Sequence, residues 1–238
     1  IAGGGVTVDG ATAALDLGAN HNDTVGAVIL DNGGSITGSG TSTLSSTSGF
    51  DVRSGFISAI LDGADIELTK TTAGTVTLSG ANTYTGLTDV KAGMLTFQNF
   101  AIGGITSGPL GSSTNALDGT VVRTGGTLRL QLAGDMTTQE WFTFENNSGV
   151  DFAPQNANRT VTMDGVLGVQ GTTAFSYSGA LAVSSTVALT PTAGYLTRSD
   201  VIATRTVHNV TADGLFGGTL RRNSSKPSIR VRVTLQVV

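Results

Sequence analysis

Between Leu68 and Phe97 the chain reads LTKTTAGTVTLSGANTYTGLTDVKAGMLTF, short runs of alternating Thr and apolar residues cut at near-regular intervals by Gly and Asn. A period of two is the repeat of an extended strand, so Val76 and Leu78 are expected on one face of Thr75–Val76–Thr77–Leu78 and the threonines on the other. Such a strand is apolar on one side only and must cover that side. Met94–Leu95–Thr96–Phe97 resumes a strand about one solenoid turn later. The intervening Ser79–Gly80–Ala81–Asn82 and Thr85–Gly86 hold residues that tolerate the positive φ of tight turns. The expectation is a stack of strands with Val76 and Leu78 inside and with Asn82 and Gly86 at turns.

The rest of the chain supports the same reading. Strand-like fragments recur at Val6–Val8, Ala27–Leu30, Phe50–Val52, Ile57–Leu61, Thr127–Leu130 and Thr160–Met163, among others, with breaks such as Asp31–Asn32–Gly33–Gly34 and Asp62–Gly63 between them. No window sustains an apolar period of 3.6, so an all-β chain is expected. Its fold class is an elongated β-solenoid, or β-helix, with a β-sandwich as the alternative. At about 20 residues per turn and ~4.8 Å between strands, residues 1–190 would make about nine turns and a rod of ~45 Å.

The segment from Leu68 to Leu95 also resembles the autotransporter-associated β-strand repeat. Leu68, Thr69, Lys70, Gly74, Leu78, Ser79, Gly80, Asn82, Thr83, Tyr84, Thr85, Gly86, Thr88, Val90, Gly93 and Leu95 all fall in its pattern. Thr72 stands where the family usually has Gly, and Leu87 departs from its common Gly-Gly. The resemblance covers about thirty residues and implies architecture, not chemistry: a β-helical segment of a large exported bacterial protein, extracellular or at the cell surface.

Residues 1–194 are read as the solenoid, with loop insertions near 98–117 and 137–157. The second holds the single Trp, Trp141, near Phe142, Phe144 and Phe152; a satellite core pinning a loop is expected, with a sugar-stacking platform as its rival. From Tyr195 the Gly spacing is lost, and Ile229–Val238 alternates cleanly, with Arg230 and Arg232 opposite the apolar face. An open solenoid end exposes unpaired backbone, so 195–238 is expected to form an antiparallel cap, or to pair with another copy of the chain.

Composition bounds the function. The absence of Cys excludes disulfides and thiolate sites. The formal charge of −4 is uneven: residues 1–197 carry 6 Lys/Arg against 15 Asp/Glu, and 198–238 carry 7 against 2. The basic segment lacks interleaved aromatics, so no nucleic-acid partner is expected. No apolar run reaches the ~18 residues of a membrane helix, and the aromatic-girdled strands of an outer-membrane barrel are missing, so no membrane span is expected in this chain. Ile1 is not Met and no signal segment opens the chain, so a portion of a longer precursor is expected.

β-Helices also carry polysaccharide-degrading enzymes, which need converging carboxylates and a base. Here Asp62, Asp65 and Glu67 are the densest acids, and Asp65 and Glu67, two apart, are read as a solvated face next to Lys70; Asp135, Glu140 and Glu145 sit in the expected loop region without a nearby Arg or His base. His21 and His208 are isolated. Sequons at Asn22, Asn146, Asn158, Asn209 and Asn223 match what an Asn/Thr-rich chain supplies by chance. No catalytic, cofactor-binding or metal-binding residue set is nominated, and no cofactor is expected. The reading is a non-enzymatic structural or adhesive surface protein. Its alternatives are a subunit of a polymeric fibre and a polysaccharide-binding or polysaccharide-degrading rod. The partner classes left open are copies of the chain, through the terminal strands, and surface glycans.

Overall fold

The computed structural model describes residues 3–98, 108, 110–111, 118–132, 136–138 and 140–154. Beyond these it describes the backbone of the strands Thr160–Met163, Val166–Val169, Thr172–Tyr177, Val183–Pro191, Arg205–Val210, Gly218–Arg221 and Ile229–Val237. The described elements are all strands, and the first twenty-one assigned wind as a parallel β-solenoid with three faces.

The first face stacks Val6–Asp9, Val28–Asp31, Phe50–Val52, Leu68–Lys70, Thr88–Val90, Thr120–Val122, Phe142–Phe144 and Val166–Val169 in that order. The second stacks Ala14–Ala19, Gly34–Ser39, Gly55–Ile57, Thr75–Leu78, Gly93–Gln98, Gly126–Leu132, Ser148–Pro154 and Thr172–Tyr177. A third face begins with Asn22–Val25, Thr43–Ser46 and Ile60–Asp62. Every pairing within these faces is parallel, which rules out the sandwich alternative.

Six full turns separate Val6 from Phe142, through partners at 28, 50, 68, 88 and 120, and one more leads to Leu167. That is fewer than the nine expected. One step is long: Thr88 pairs with Thr120, 32 residues on, so the chain between 98 and 118 adds length without adding a rung. The insertion expected near 98–117 lies mostly outside the described residues. At ~4.8 Å per turn, seven turns give a stack of about 34 Å.

Parallel stacking in register turns the period of two into continuous interior columns. On the first face one column runs Val8, Leu30, Val52, Lys70, Val90, Val122, Phe144, and a second runs Val28, Phe50, Leu68, Thr88, Thr120, Phe142. On the second face Ile36, Ile57, Leu78, Phe97 and Leu130 stack, beside Val76, Leu95, Leu128 and Val150. All the apolar members are buried, and each contributes roughly 1.5–3 kcal/mol of burial. Val76 and Leu78 therefore point inward as the alternation requires. Asn32, at φ 51°, takes the turn conformation expected of Asp31–Asn32–Gly33–Gly34. Gly93, at φ 67°, could not be another residue cheaply: a Cβ there would lie 2.4 Å from the Thr72 carbonyl oxygen.

One expectation fails. Within the stretch 137–157, Phe142–Phe144 and Ser148–Pro154 are rungs of the two main faces and not parts of a loop. Phe142 and Phe144 lie in the solenoid interior with ring centroids 6.0 Å apart, so they continue the core columns and form no satellite cluster. Trp141 is only half-buried, and nothing is described of the Phe152 side chain.

The far end is antiparallel, as expected of a cap. Ile229–Val237 pairs with Thr160–Met163, with Val166–Val169 and with Val183–Pro191, while Gly218–Arg221 pairs with Thr172–Tyr177. The antiparallel set thus draws in Val183–Pro191, which precedes the boundary expected at 195.

Candidate functional site

The residue that follows the second inward position of each first-face strand sits where the chain turns toward the second face. These positions are Asp9, Asp31, Arg53, Thr71, Lys91, Arg123 and Glu145, one per turn, and six of the seven are charged. Turn by turn they are tied together. Asn32 Nδ2 donates to Asp9 Oδ1 at 2.7 Å. Arg53 reaches Asp31 at 3.2 Å and Asp51 at 2.8 Å, and Thr71 Oγ1 donates to the other oxygen of Asp51 at 2.7 Å. Arg123 grips Asp89 with two nitrogens, at 2.7 and 3.2 Å, and Glu145 with a third at 2.8 Å. Lys91 adds a looser contact to Asp89 at 3.7 Å.

These pairs shape the local acidities. The Asn32 amide hydrogen bond, helped by Arg53, holds the Asp31 carboxyl below its usual range. The carboxylates of Asp51 and Asp31 raise the Arg53 guanidinium, and Asp89 with Glu145 raises that of Arg123. Arg123 binds three successive turns at once through a bidentate fork, and its partner Asp89 is buried, so it acts as a register lock and not as a free cation. The sequence reading missed this column because its members lie about twenty residues apart. The signal that would have found it is the position just after each Val-x-Leu-like inward pair.

A second polar column lies inside. The Tyr84 hydroxyl and Thr88 Oγ1 are 2.6 Å apart, and Thr88 Oγ1 donates to the Leu110 carbonyl at 3.0 Å. One rung on, Thr120 Oγ1 donates to Glu140 Oε1 at 2.9 Å. Burial pushes the Tyr84 phenol up. It also pushes Glu140 up to about 8, with Asp118 adding to the rise and the Thr120 hydrogen bond opposing it. Lys70 completes the interior set. Its stem packs between Val52 and Val90, and its ammonium donates to the carbonyls of Thr72 and of Ala92, the latter at 3.1 Å. Burial pushes it down to about 8.

Lys70 itself is wholly buried, because the period of two that turns Leu68 inward turns Lys70 inward as well. Of the acids beside it, Asp65 and Glu67 are exposed. Asp62 accepts from Ser45 and Thr83 hydroxyls at 3.1 and 2.7 Å, and Glu67 accepts from Thr69 at 2.9 Å. Asp65 sits at φ 57° in a turn, its amide donating to Thr85 Oγ1 at 2.9 Å. Glu140 and Glu145 are separated by their roles, one interior and one in the charged column. Asp135 and the side chain of His208 lie outside the described residues, and His21 is exposed.

The two interior ions pull stability in opposite directions with pH. Glu140 has a folded pKa above its free value of 4.5, so its contribution is full below pH 4.5 and lost as pH rises toward 8. Lys70 has a folded pKa below its free value of 10.5; between pH 8 and 10.5 only the unfolded chain holds the proton, so stability climbs across that window. The expected profile has a minimum near pH 8, with arms of about 1–3 kcal/mol each. Denaturant unfolding from pH 4 to 10 should show Glu140→Gln flattening the acid arm and Lys70→Met flattening the alkaline arm.

Comparison with known proteins agrees with this picture. A family model described as the passenger-associated-transport-repeat matches residues 68–97. The chain is 35% identical over 153 residues to the adhesin BmaC autotransporter of Brucella suis biovar 1 (strain 1330), covering 61% of this chain and 4% of that protein. It therefore spans only a small part of the length of that relative. No solved structure matches it. In the fold the matched motif accounts for core and turn positions: Leu68, Leu78, Tyr84, Val90 and Leu95 are interior, and Gly93 makes a turn. Residues 68–97 thus match the passenger-associated-transport-repeat, and in the fold they form successive turns of a parallel β-solenoid.

Proposed function

We propose that this chain is a rod-forming segment of an extracellular, non-enzymatic adhesive surface protein. The observation that carries the reading is that the buried ionisable side chains named above, and the two arginines of the charged column, are each engaged with neighbouring turns of the solenoid. Lys70, Tyr84 and Glu140 are spent inside, and Arg53 and Arg123 are spent locking successive turns, which favours stiffness over catalysis. The similarity to an adhesin passenger supports the adhesive part. Surface glycans are the partner class proposed for the outer flank of the second face, where Phe56 and Thr75 are exposed.

The test is adhesion of beads coated with the purified chain to host-type epithelial cells and to immobilised glycans, with beads carrying unfolded chain as the control. Binding that depends on the folded rod supports the proposal. Equal binding by both bead types, or depolymerisation of acidic or neutral polysaccharides by the folded chain, defeats it.

A further inference from the structure

Asn32–Gly33 is the only Asn-Gly pair in the chain, and it lies at the corner where the second turn of the coil passes from its first face to its second. Both residues are exposed, and both take a left-handed backbone, Asn32 at φ 51° and Gly33 at φ 82°. The pair carries a latent reaction. Attack of a backbone nitrogen on the side-chain carbonyl carbon of the preceding Asn closes a cyclic imide, and where the attacking residue is Gly no Cβ shields that nitrogen.

In the folded rod both reacting groups are held by other turns. Asn32 Nδ2 donates to Asp9 Oδ1 of the turn before, at 2.7 Å; a carboxylate only accepts, so the contact sets the nitrogen of the amide, not its oxygen, toward Asp9. The Gly33 N–H donates to Ser54 Oγ of the turn after, at 3.1 Å. The Asn32 N–H is taken by Asp31 Oδ1 at 2.7 Å. The nucleophile is thus drawn toward one neighbouring turn and the amide it would attack toward the other. Ring closure requires that both bonds break.

From this arrangement we infer that Asn32–Gly33 is a deamidation site that three successive turns keep closed, and whose product unties the first turn from the second. In the reaction Gly33 N bonds to Asn32 Cγ, the Cγ–Nδ2 bond breaks, and the Gly33 amide proton leaves with Nδ2 as ammonia. A water molecule then opens the imide at either carbonyl, leaving an aspartyl or isoaspartyl residue. The new carboxylate has no proton to donate to Asp9 and stands between Asp9 and Asp31, while Arg53 is already shared by Asp31 and Asp51. A tie between turns becomes a repulsion.

The test is peptide mapping by mass spectrometry of the full chain after incubation in mildly alkaline buffer, following the amide-to-acid mass change at Asn32. The folded chain is expected to deamidate there at least about tenfold more slowly than the same chain in denaturant, because the corner must open first. Ser54→Ala and, separately, Asp9→Ala should each raise the folded rate by a factor of about three to ten, whereas Ser54→Thr, which keeps the hydroxyl, leaves it unchanged. Asn32→Asp should speed hydrogen exchange of the Gly10 amide, which donates to the Asp31 carbonyl at 3.2 Å, while the Leu68 amide, which donates to the Leu87 carbonyl at 2.9 Å, keeps its protection. Equal rates in the folded and denatured chain overturn the proposal, and so does the absence of a mass change in denaturant. Folded rates unmoved by both alanine variants, or raised as much by Ser54→Thr, overturn it as well. A variant that strips protection from Leu68 counts against it too, because the bonds named hold the corner and not the stack. Unchanged Gly10 exchange in Asn32→Asp overturns the untying.

Discussion

Val76→Asp is expected to remove most of the stability of the solenoid around the matched repeat. Val76 has no solvent exposure and stacks in register between Gly55 and Leu95, so a carboxylate there would meet apolar neighbours above, below and across the interior. An unpaired buried carboxylate costs several kcal/mol even after it takes up a proton, which is a large fraction of the ~5–15 kcal/mol that holds a domain. Thr75→Asp, one residue earlier on the exposed side of the same strand, should cost within about 0.5 kcal/mol. Urea unfolding of the two variants checks the register directly. Comparable losses at 75 and 76 would mean that the faces of this strand are wrongly assigned.

That contrast also shows which parts of the fold are legible in the sequence. At Val76 and Leu78 polarity and period agree, because Thr-Val-Thr-Leu separates its residues cleanly into two faces, and the structure follows. At Lys70 they disagree. Period places it inside and charge outside, and period wins because a long apolar stem can line the column while the ammonium finds the carbonyls of the adjoining turn. Phe142 and Phe144 were misread for a related reason: the neighbouring Trp141 blurs the alternation of Phe-Thr-Phe, so two rung residues look like a loop cluster. The charged column and the contact of Thr88 with the Leu110 carbonyl were not legible at all. Each joins residues about twenty or more apart, and only the register of the coil, fixed by its turns and by the length of the stretch between 98 and 118, brings them together.

Removing residues 229–238 is expected to dismantle the antiparallel end while leaving the early turns wound. Ile229–Val237 is a shared partner: Thr160 faces Gln236, Leu167 faces Ile229, and Ser185 through Pro191 face Val237 through Val231. Without it three strands lose a neighbour, a loss on the order of 5 kcal/mol if each ladder hydrogen bond is worth about 0.5 kcal/mol. Bare edges of this kind recruit other chains, so the truncated protein should be both less stable and more associated than its parent. Because a solenoid is held by nearest-neighbour contacts, exchange protection at Leu95 should survive while that at Val150 falls. The rival reading, in which the same strand completes a neighbouring copy, expects the reverse change in assembly: a filamentous parent whose truncation yields folded monomers. Sedimentation of both forms separates the two, since an intramolecular cap requires a monomeric parent. If truncation alters neither stability nor assembly, the terminal strand contributes to neither, and the end of the solenoid must be closed by the remaining pairings of Arg205–Val210 with Val183–Pro191 and of Gly218–Arg221 with Thr172–Tyr177.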